Sequence, residues 1–153
     1  MDIYLHNTYS GKDELFTPIE KGVVSIYNCG PTVYNYAHIG NLRSFIMADL
    51  LYRTLKLDGY NPRWVMNITD IDDKTIKGTL DKYGKEAGVK ELYEFTQLYL
   101  EEFLNDLKTV HVLVEEIQFI RVTDVIPEIQ EFIVGLLKAG FAYTAEDLSL
   151  IHI

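Results

Sequence analysis

Cys29-Gly30-Pro31-Thr32-Val33-Tyr34-Asn35-Tyr36-Ala37-His38-Ile39-Gly40-Asn41 brings a thiol, an imidazole and a carboxamide into one short stretch. An apolar, β-branched run precedes it and a long helical pattern follows. A thiol and an imidazole at the mouth of one strand–helix unit suit a metal or a sulfur-bearing substrate held beside a nucleotide phosphate. His38-Ile39-Gly40-Asn41 falls at a helix N-terminus, where unpaired N–H groups and the helix dipole attract anions. An imidazole and an amide one turn apart add donors that follow charge on a transferring phosphate. Gly40 has no side chain, so a flat adenine ring can lie against its backbone. Taken alone, these four residues fit a polar helix start with a solvated Asn41 better than a site. Their coupling to Cys29 and to the strand favours a site.

A lone cysteine at a strand end is otherwise a small core hydrophobe. As a zinc ligand Cys29 needs about three further donors. His6, His38, His111 and His152 form no recognisable pair with it by spacing. A third group, Asn67-Ile68-Thr69-Asp70-Ile71-Asp72-Asp73-Lys74, follows a second strand-like run. That places Asn67 and Thr69 in the crevice beyond the strand ends, where open α/β sheets bind ligands. Asp70, Asp72 and Asp73 read as a capped helix start with surface carboxylates. Glu101-Glu102 and Glu115-Glu116 read as solvated faces without chemistry.

The elements that must position these residues follow from patterning. Val23-Val24-Ser25-Ile26-Tyr27 reads as a strand buried on both faces. Leu42, Phe45, Ile46, Leu50, Leu51 and Leu55 recur at helical spacing between Ile39 and Leu57, with an apolar face broad enough for a largely buried helix. Asp58-Gly59 stops it. Arg63 to Ile68 is a second strand, so strand, helix and strand form a βαβ unit with parallel strands. Thr69 or Asp70 then caps a polar helix reaching Tyr83. Leu92, Phe95, Tyr99, Phe103 and Leu107 mark an amphipathic helix. A further helix opens at Asp124, Pro127 and Glu128; its inner face is Ile129, Phe132, Ile133, Leu136 and Leu137, and Gly140 ends it. The second half shows no strand pattern. Two parallel strands are too few for a doubly wound domain, so the chain reads as the front of something larger.

Composition narrows the function classes. The 153 residues suit one domain, and 48% hydrophobic with 24% charged residues supports a packed core. A net charge of −9 argues against a basic module that grips nucleic acid by electrostatics alone. One cysteine excludes an internal disulfide. No signal peptide or membrane-length apolar run is visible, so a cytoplasmic protein is expected.

The three groups Cys29 to Tyr34, His38 to Asn41 and Asn67 to Lys74, in that order, resemble the cysteinyl-tRNA synthetase family. Asn7-Thr8, Phe16-Thr17-Pro18-Ile19 and Leu137-Lys138-Ala139-Gly140-Phe141-Ala142-Tyr143 fit as well, so the resemblance runs to about Thr144. It implies a class I aminoacyl-tRNA synthetase with a Rossmann-like catalytic domain. ATP and L-cysteine would give cysteinyl-adenylate, and the cysteinyl group would pass to tRNA(Cys). Carried over by motif, Cys29 is a Zn2+ ligand, and His38, Gly40 and Asn41 contact ATP, with Mg2+ accompanying it. Gly30, Thr32, Ser44, Asn67 and Thr69 line the cysteine and adenylate pocket. Asn41 stands where the HIGH pattern has its second histidine, and an amide keeps the donor. Zinc suits this substrate: shape separates cysteine from serine poorly, whereas a soft thiolate prefers zinc to a hydroxyl.

The departures set further expectations. The remaining zinc ligands, the KMSKS-type lysine loop and the anticodon-binding region are absent from this sequence. Residues 1–83 are expected to be the first half of the nucleotide-binding domain, and 84–147 a mainly helical connective insertion. Residues 148–153 match the translation of a common sequencing-adapter end and are expected to be a non-native tail. The parent enzyme is expected to be a monomer and this fragment inactive. Two other readings stay open: a cysteine ligase of mycothiol biosynthesis, and a non-catalytic half-synthetase binding module.

Overall fold

The computed structural model describes residues 2–144 and the backbone of 150–152. The chain begins as a hairpin in which β1 (Tyr4–Asn7) and β2 (Lys12–Leu15) pair antiparallel around the expected turn. β3 (Val23–Asn28), α1 (Ile39–Leu57) and β4 (Asn61–Ile68) then form the βαβ unit. Its strands are parallel, with Val23 opposite Asn61 and Asn28 opposite Met66. α1 has the bounds that its apolar spacing gives, and Gly59 at φ 86° makes the turn after it. α2 (Asp73–Tyr83) and α3 (Val89–Thr109) follow.

Contrary to expectation, the second half adds a strand. β5 (Ile117–Arg121) runs parallel to β4, with Trp64 opposite Ile117, giving a three-stranded sheet ordered β3-β4-β5. Its short alternating run is preceded by a 3-10 turn, Val114–Glu116. A second such turn, Val122–Val125, leads into α4 (Ile126–Lys138). β6 (Ala142–Thr144) pairs antiparallel with β7 (Leu150–His152). Residues 148, 149 and 153 of the expected tail lie outside the described residues. The architecture is α/β, a partial Rossmann-like arrangement around a parallel sheet.

β4 shows why the core sits where it does. Its residues alternate, and Trp64, Met66 and Ile68 are almost fully buried. They pack with Phe45 and Tyr52 of α1 and with Leu100, Phe103 and Leu107 of α3. Tyr52 stacks on Trp64 at 5.6 Å and Phe45 meets Phe103 edge-on at 5.0 Å. Each large side chain so buried contributes about 1.5–3 kcal/mol, so one face of β4 fastens both helices. A smaller cluster of Ile3, Val24 and Leu55 seats the hairpin.

The other sheet face is different. Ser25, Tyr27 and Arg63 are exposed, so β3 is not buried on both faces as its sequence suggests. α1 is also barer than expected: only Phe45, Asp49, Tyr52 and Leu55 are buried, while Ile46, Met47 and Leu50 are exposed. The expected inner face of α4 is only partly covered among the described residues: Ile133 and Leu136 are half-buried, while Ile129 and Leu137 are exposed and Phe132 is 68% exposed. Apolar patterning identifies a face that wants a partner; whether the partner belongs to this stretch of chain is a separate matter.

Polar ties hold the second half to the first. The Tyr52 hydroxyl donates to Glu116 at 2.6 Å, and Lys56 Nζ lies 3.0 Å from the same carboxylate. Burial, and then the carboxylate, raise the Tyr52 hydroxyl pKa. The hydroxyl and the ammonium hold Glu116 below its ordinary value. Asp49 accepts the Leu113 N–H at 2.9 Å.

The acidic run after β4 also departs from expectation. Asp72, not Thr69 or Asp70, is the N-cap of α2, accepting from the N–H groups of Lys74 and Thr75. Asp70 is no surface carboxylate: it is 2% exposed. It accepts Arg121 Nε at 3.0 Å, the Thr123 hydroxyl at 2.6 Å and the Thr123 N–H at 3.1 Å.

Candidate functional site

A cavity of about 490 Å³ opens where the chain leaves β3 and enters α1. Of the residues singled out from the sequence, Cys29, Gly30, Thr32, His38, Asn41 and Ser44 line it; Gly40, Asn67 and Thr69 do not. Two extensions of the sheet shape the wall. Thr32 and Thr69 form a parallel bridge, with Val33 N–H donating to Thr69 O and Thr69 N–H to Pro31 O. The segment after β3 thus stays registered to β4 beyond both strands.

The start of α1 is a capping box. His38 is the N-cap, and its Nδ1 accepts the Gly40 N–H at 3.1 Å. Asn41 Oδ1 returns a bond to the His38 N–H at 3.1 Å. The helix-start reading of these residues is therefore correct, and it does not compete with the site reading. With Nδ1 accepting, the neutral imidazole carries its proton on Nε2. With Oδ1 accepting, Asn41 keeps both amide protons available. The cap thus orients two sets of donors at a helix N-terminus whose first turn holds no acidic residue. The dipole there is left for an external anion.

Gly40 also serves this cap. A Cβ at that position would come within 3.0 Å of the His38 imidazole. Ser44 donates its hydroxyl to Asn41 O at 2.7 Å, so toward the cavity it offers an acceptor.

Cys29 is exposed at this cavity and is not part of the hydrophobic interior. Its thiol makes one weak contact, Sγ to Gly30 O at 3.8 Å. Among the described residues no group of three or more His, Cys, Asp or Glu side chains is placed to hold a metal. Cys29 is one potential donor, and no complete zinc site exists among those residues.

Sequence reasoning gave no role to four other lining residues, Tyr34, Lys74, Tyr99 and Phe103. Lys74 Nζ stands 5.1 Å from the centre of the Tyr34 ring, a cation–π contact at the wall. Tyr99 and Phe103 come from α3, where helical periodicity marks them only as core.

Residues 15–152 match the family model described as tRNA synthetases class I (C) catalytic domain. A cysteine–tRNA ligase of Leptospira interrogans is 44% identical over 147 residues, covering 96% of this chain and 30% of that protein. One from Chlamydia trachomatis is 43% identical over 150 residues, 98% of this chain and 30% of its own length. One from Brevibacillus brevis is 45% identical over 146 residues, 95% and 30%. The chain thus spans about 30% of the length of the curated relatives it matches. No helix among the described residues is long and apolar enough to cross a membrane.

Proposed function

Because the chain belongs to the tRNA synthetases class I (C) catalytic-domain family, we propose that it carries part of the substrate-activating site of a cysteine–tRNA ligase. The whole enzyme would join L-cysteine to tRNA(Cys) through a cysteinyl-adenylate formed from ATP, in the cytoplasm where translation occurs. The observation that carries this reading is the capping box. Its backbone bonds leave the Nε2–H of His38 and the amide protons of Asn41 available at a helix N-terminus, on residues that line the same cavity as Cys29.

The roles follow from chemistry. Adenylate formation requires cysteine's carboxylate to attack the α-phosphorus of ATP while pyrophosphate leaves. Charge grows on phosphate oxygens, and donors already aimed by backbone bonds follow it without reorganising. Mg2+ would accompany the triphosphate. Gly30, Thr32 and Ser44 would bound the amino-acid and adenylate pocket. Cys29 would give one thiolate to a Zn2+ whose other ligands come from polypeptide outside this sequence. Zinc would supply preference for a thiolate over serine's hydroxyl. The relatives' names favour tRNA over an amino-sugar acceptor.

The test is cysteine-dependent exchange of pyrophosphate into ATP by a protein of the relatives' length. Exchange is expected with cysteine and not with serine. Replacing His38 or Asn41 by Ala is expected to lower it by about two orders of magnitude. The 153-residue chain alone is expected to show none. Absence of cysteine dependence in the long protein, or clear exchange by the short one, overturns the proposal.

A further inference from the structure

Asn67 is the penultimate residue of β4, where a ligand is expected, and its surroundings give it further work. On leaving β3 the chain must turn at Cys29 and Gly30 before it rejoins the β4 register at Thr32 and Thr69. Within that turn Asn67 Oδ1 accepts the Gly30 N–H at 2.9 Å and the Tyr27 hydroxyl at 3.0 Å. Asn67 Nδ2 donates to Thr69 Oγ1 at 3.1 Å. Both lone pairs of the amide oxygen are thereby engaged, and one of its two N–H bonds. The approach is also close. A Cβ on Gly30 would lie 1.7 Å from the Asn67 carbonyl oxygen, so only glycine fits. Among the described residues the Cys29 thiol has no hydrogen-bond anchor beyond its 3.8 Å contact with Gly30 O. Its place at the cavity is inherited from the backbone beside it.

We propose that Asn67 is a positioning residue that clamps the Cys29–Gly30 turn onto the end of β4 and so fixes where the thiol stands. The importance of that place rests on reading the cavity as the substrate site. The clamp itself is measurable without substrate. Tyr27 holds the same amide oxygen, and the bond to Thr69 sets the amide's orientation.

The experiment uses the 153-residue chain labelled with 15N, and the same chain carrying a nitroxide on Cys29, its only cysteine. Asn67→Ala is expected to speed exchange of the Gly30 amide hydrogen by about tenfold or more. The Val33 and β4 amides should keep their protection, and the nitroxide spectrum should shift to a mobile line shape. Asn67→Asp keeps an oxygen for both donors and is expected to restore the Gly30 amide and the immobile spectrum. Tyr27→Phe removes one donor from an exposed ring, so it serves even where Asn67→Ala does not fold; exchange is expected to rise by about threefold. Three results overturn the proposal: unchanged Gly30 exchange in both Asn67→Ala and Tyr27→Phe, acceleration shared equally by Val33 and β4, or no rescue by Asn67→Asp. Because no readout involves cysteine or ATP, failure here leaves the pyrophosphate-exchange test of the enzyme reading independent.

Discussion

Asp70→Ala removes the carboxylate that joins the end of β4 to the end of β5. Asp70's side chain is 3% exposed and Arg121's is 16%, with Nε 3.0 Å from Oδ2. Arg121 also donates Nη1 to Gln97 at 3.2 Å and lies 4.6 Å from the Tyr93 ring centre, so the pair reaches α3. Its Nη2 is buried without a partner among the described residues. Losing Asp70 strands a guanidinium that retains one neutral acceptor and one ring, and leaves both Thr123 donors unanswered. Breaking a buried pair from one side costs about 3–5 kcal/mol. Arg121's remaining contacts and slight exposure place this case near about 3 kcal/mol, a shift of about two orders of magnitude in the folding equilibrium. Urea unfolding followed by fluorescence of Trp64, the one tryptophan and 2% exposed, reads this directly. Arg121→Met leaves Asp70 its two Thr123 bonds and is expected to cost about 2–3 kcal/mol. The double variant should cost less than the sum by about 2 kcal/mol. Strictly additive losses, or a loss below about 1 kcal/mol for Asp70→Ala, would refute the reasoning.

Gly30→Ala sets a methyl against backbone, 1.7 Å from Asn67 O and 2.9 Å from Met66 Cγ, so a destabilisation of about 3 kcal/mol or an insoluble product is expected. An unchanged unfolding midpoint would contradict the packing at that turn. Glu116 is held below its ordinary value of 4.5 by Tyr52 and Lys56, so its contribution is present above that pH and is lost as pH falls through the lowered folded-state value. Glu116→Gln should therefore be less stable than the parent at pH 6 and converge with it as urea midpoints are measured down to about pH 3; a pH-independent gap would sink the assignment.

Local rules in the sequence carry far where local physics decides. The span of α1 and the parallel pairing of β3 with β4 are legible from apolar spacing and from Asp58-Gly59. The cavity-lining group is legible because Cys29 to His38 must follow a strand and open a helix. β5 escapes such rules because Ile117-Gln118-Phe119-Ile120 is a short run whose strand character depends on lying beside β4. Asp70 reads as a surface residue because nothing local announces Arg121 and Thr123, which arrive from beyond α3. For Asn67 the sequence points to the region beyond the strand ends, but not to the bonds its amide makes there. Residue type shows that an amide can bond, and only geometry shows that its oxygen is already doubly engaged. The exposed faces of α1 and α4 read as inward because patterning records a need for cover, not what supplies it.

The double engagement of His38 and Asn41 has an evolutionary corollary. Each side chain grips the backbone with one atom and leaves the other open among the described residues, so under the proposed function selection for a sound fold and selection for ligand recognition act on the same two positions. If the proposed function holds, drift that loosened the first turn of α1 would be felt at once in substrate affinity. A lineage could not barter robustness against turnover here, as it can where active-site groups strain their scaffold.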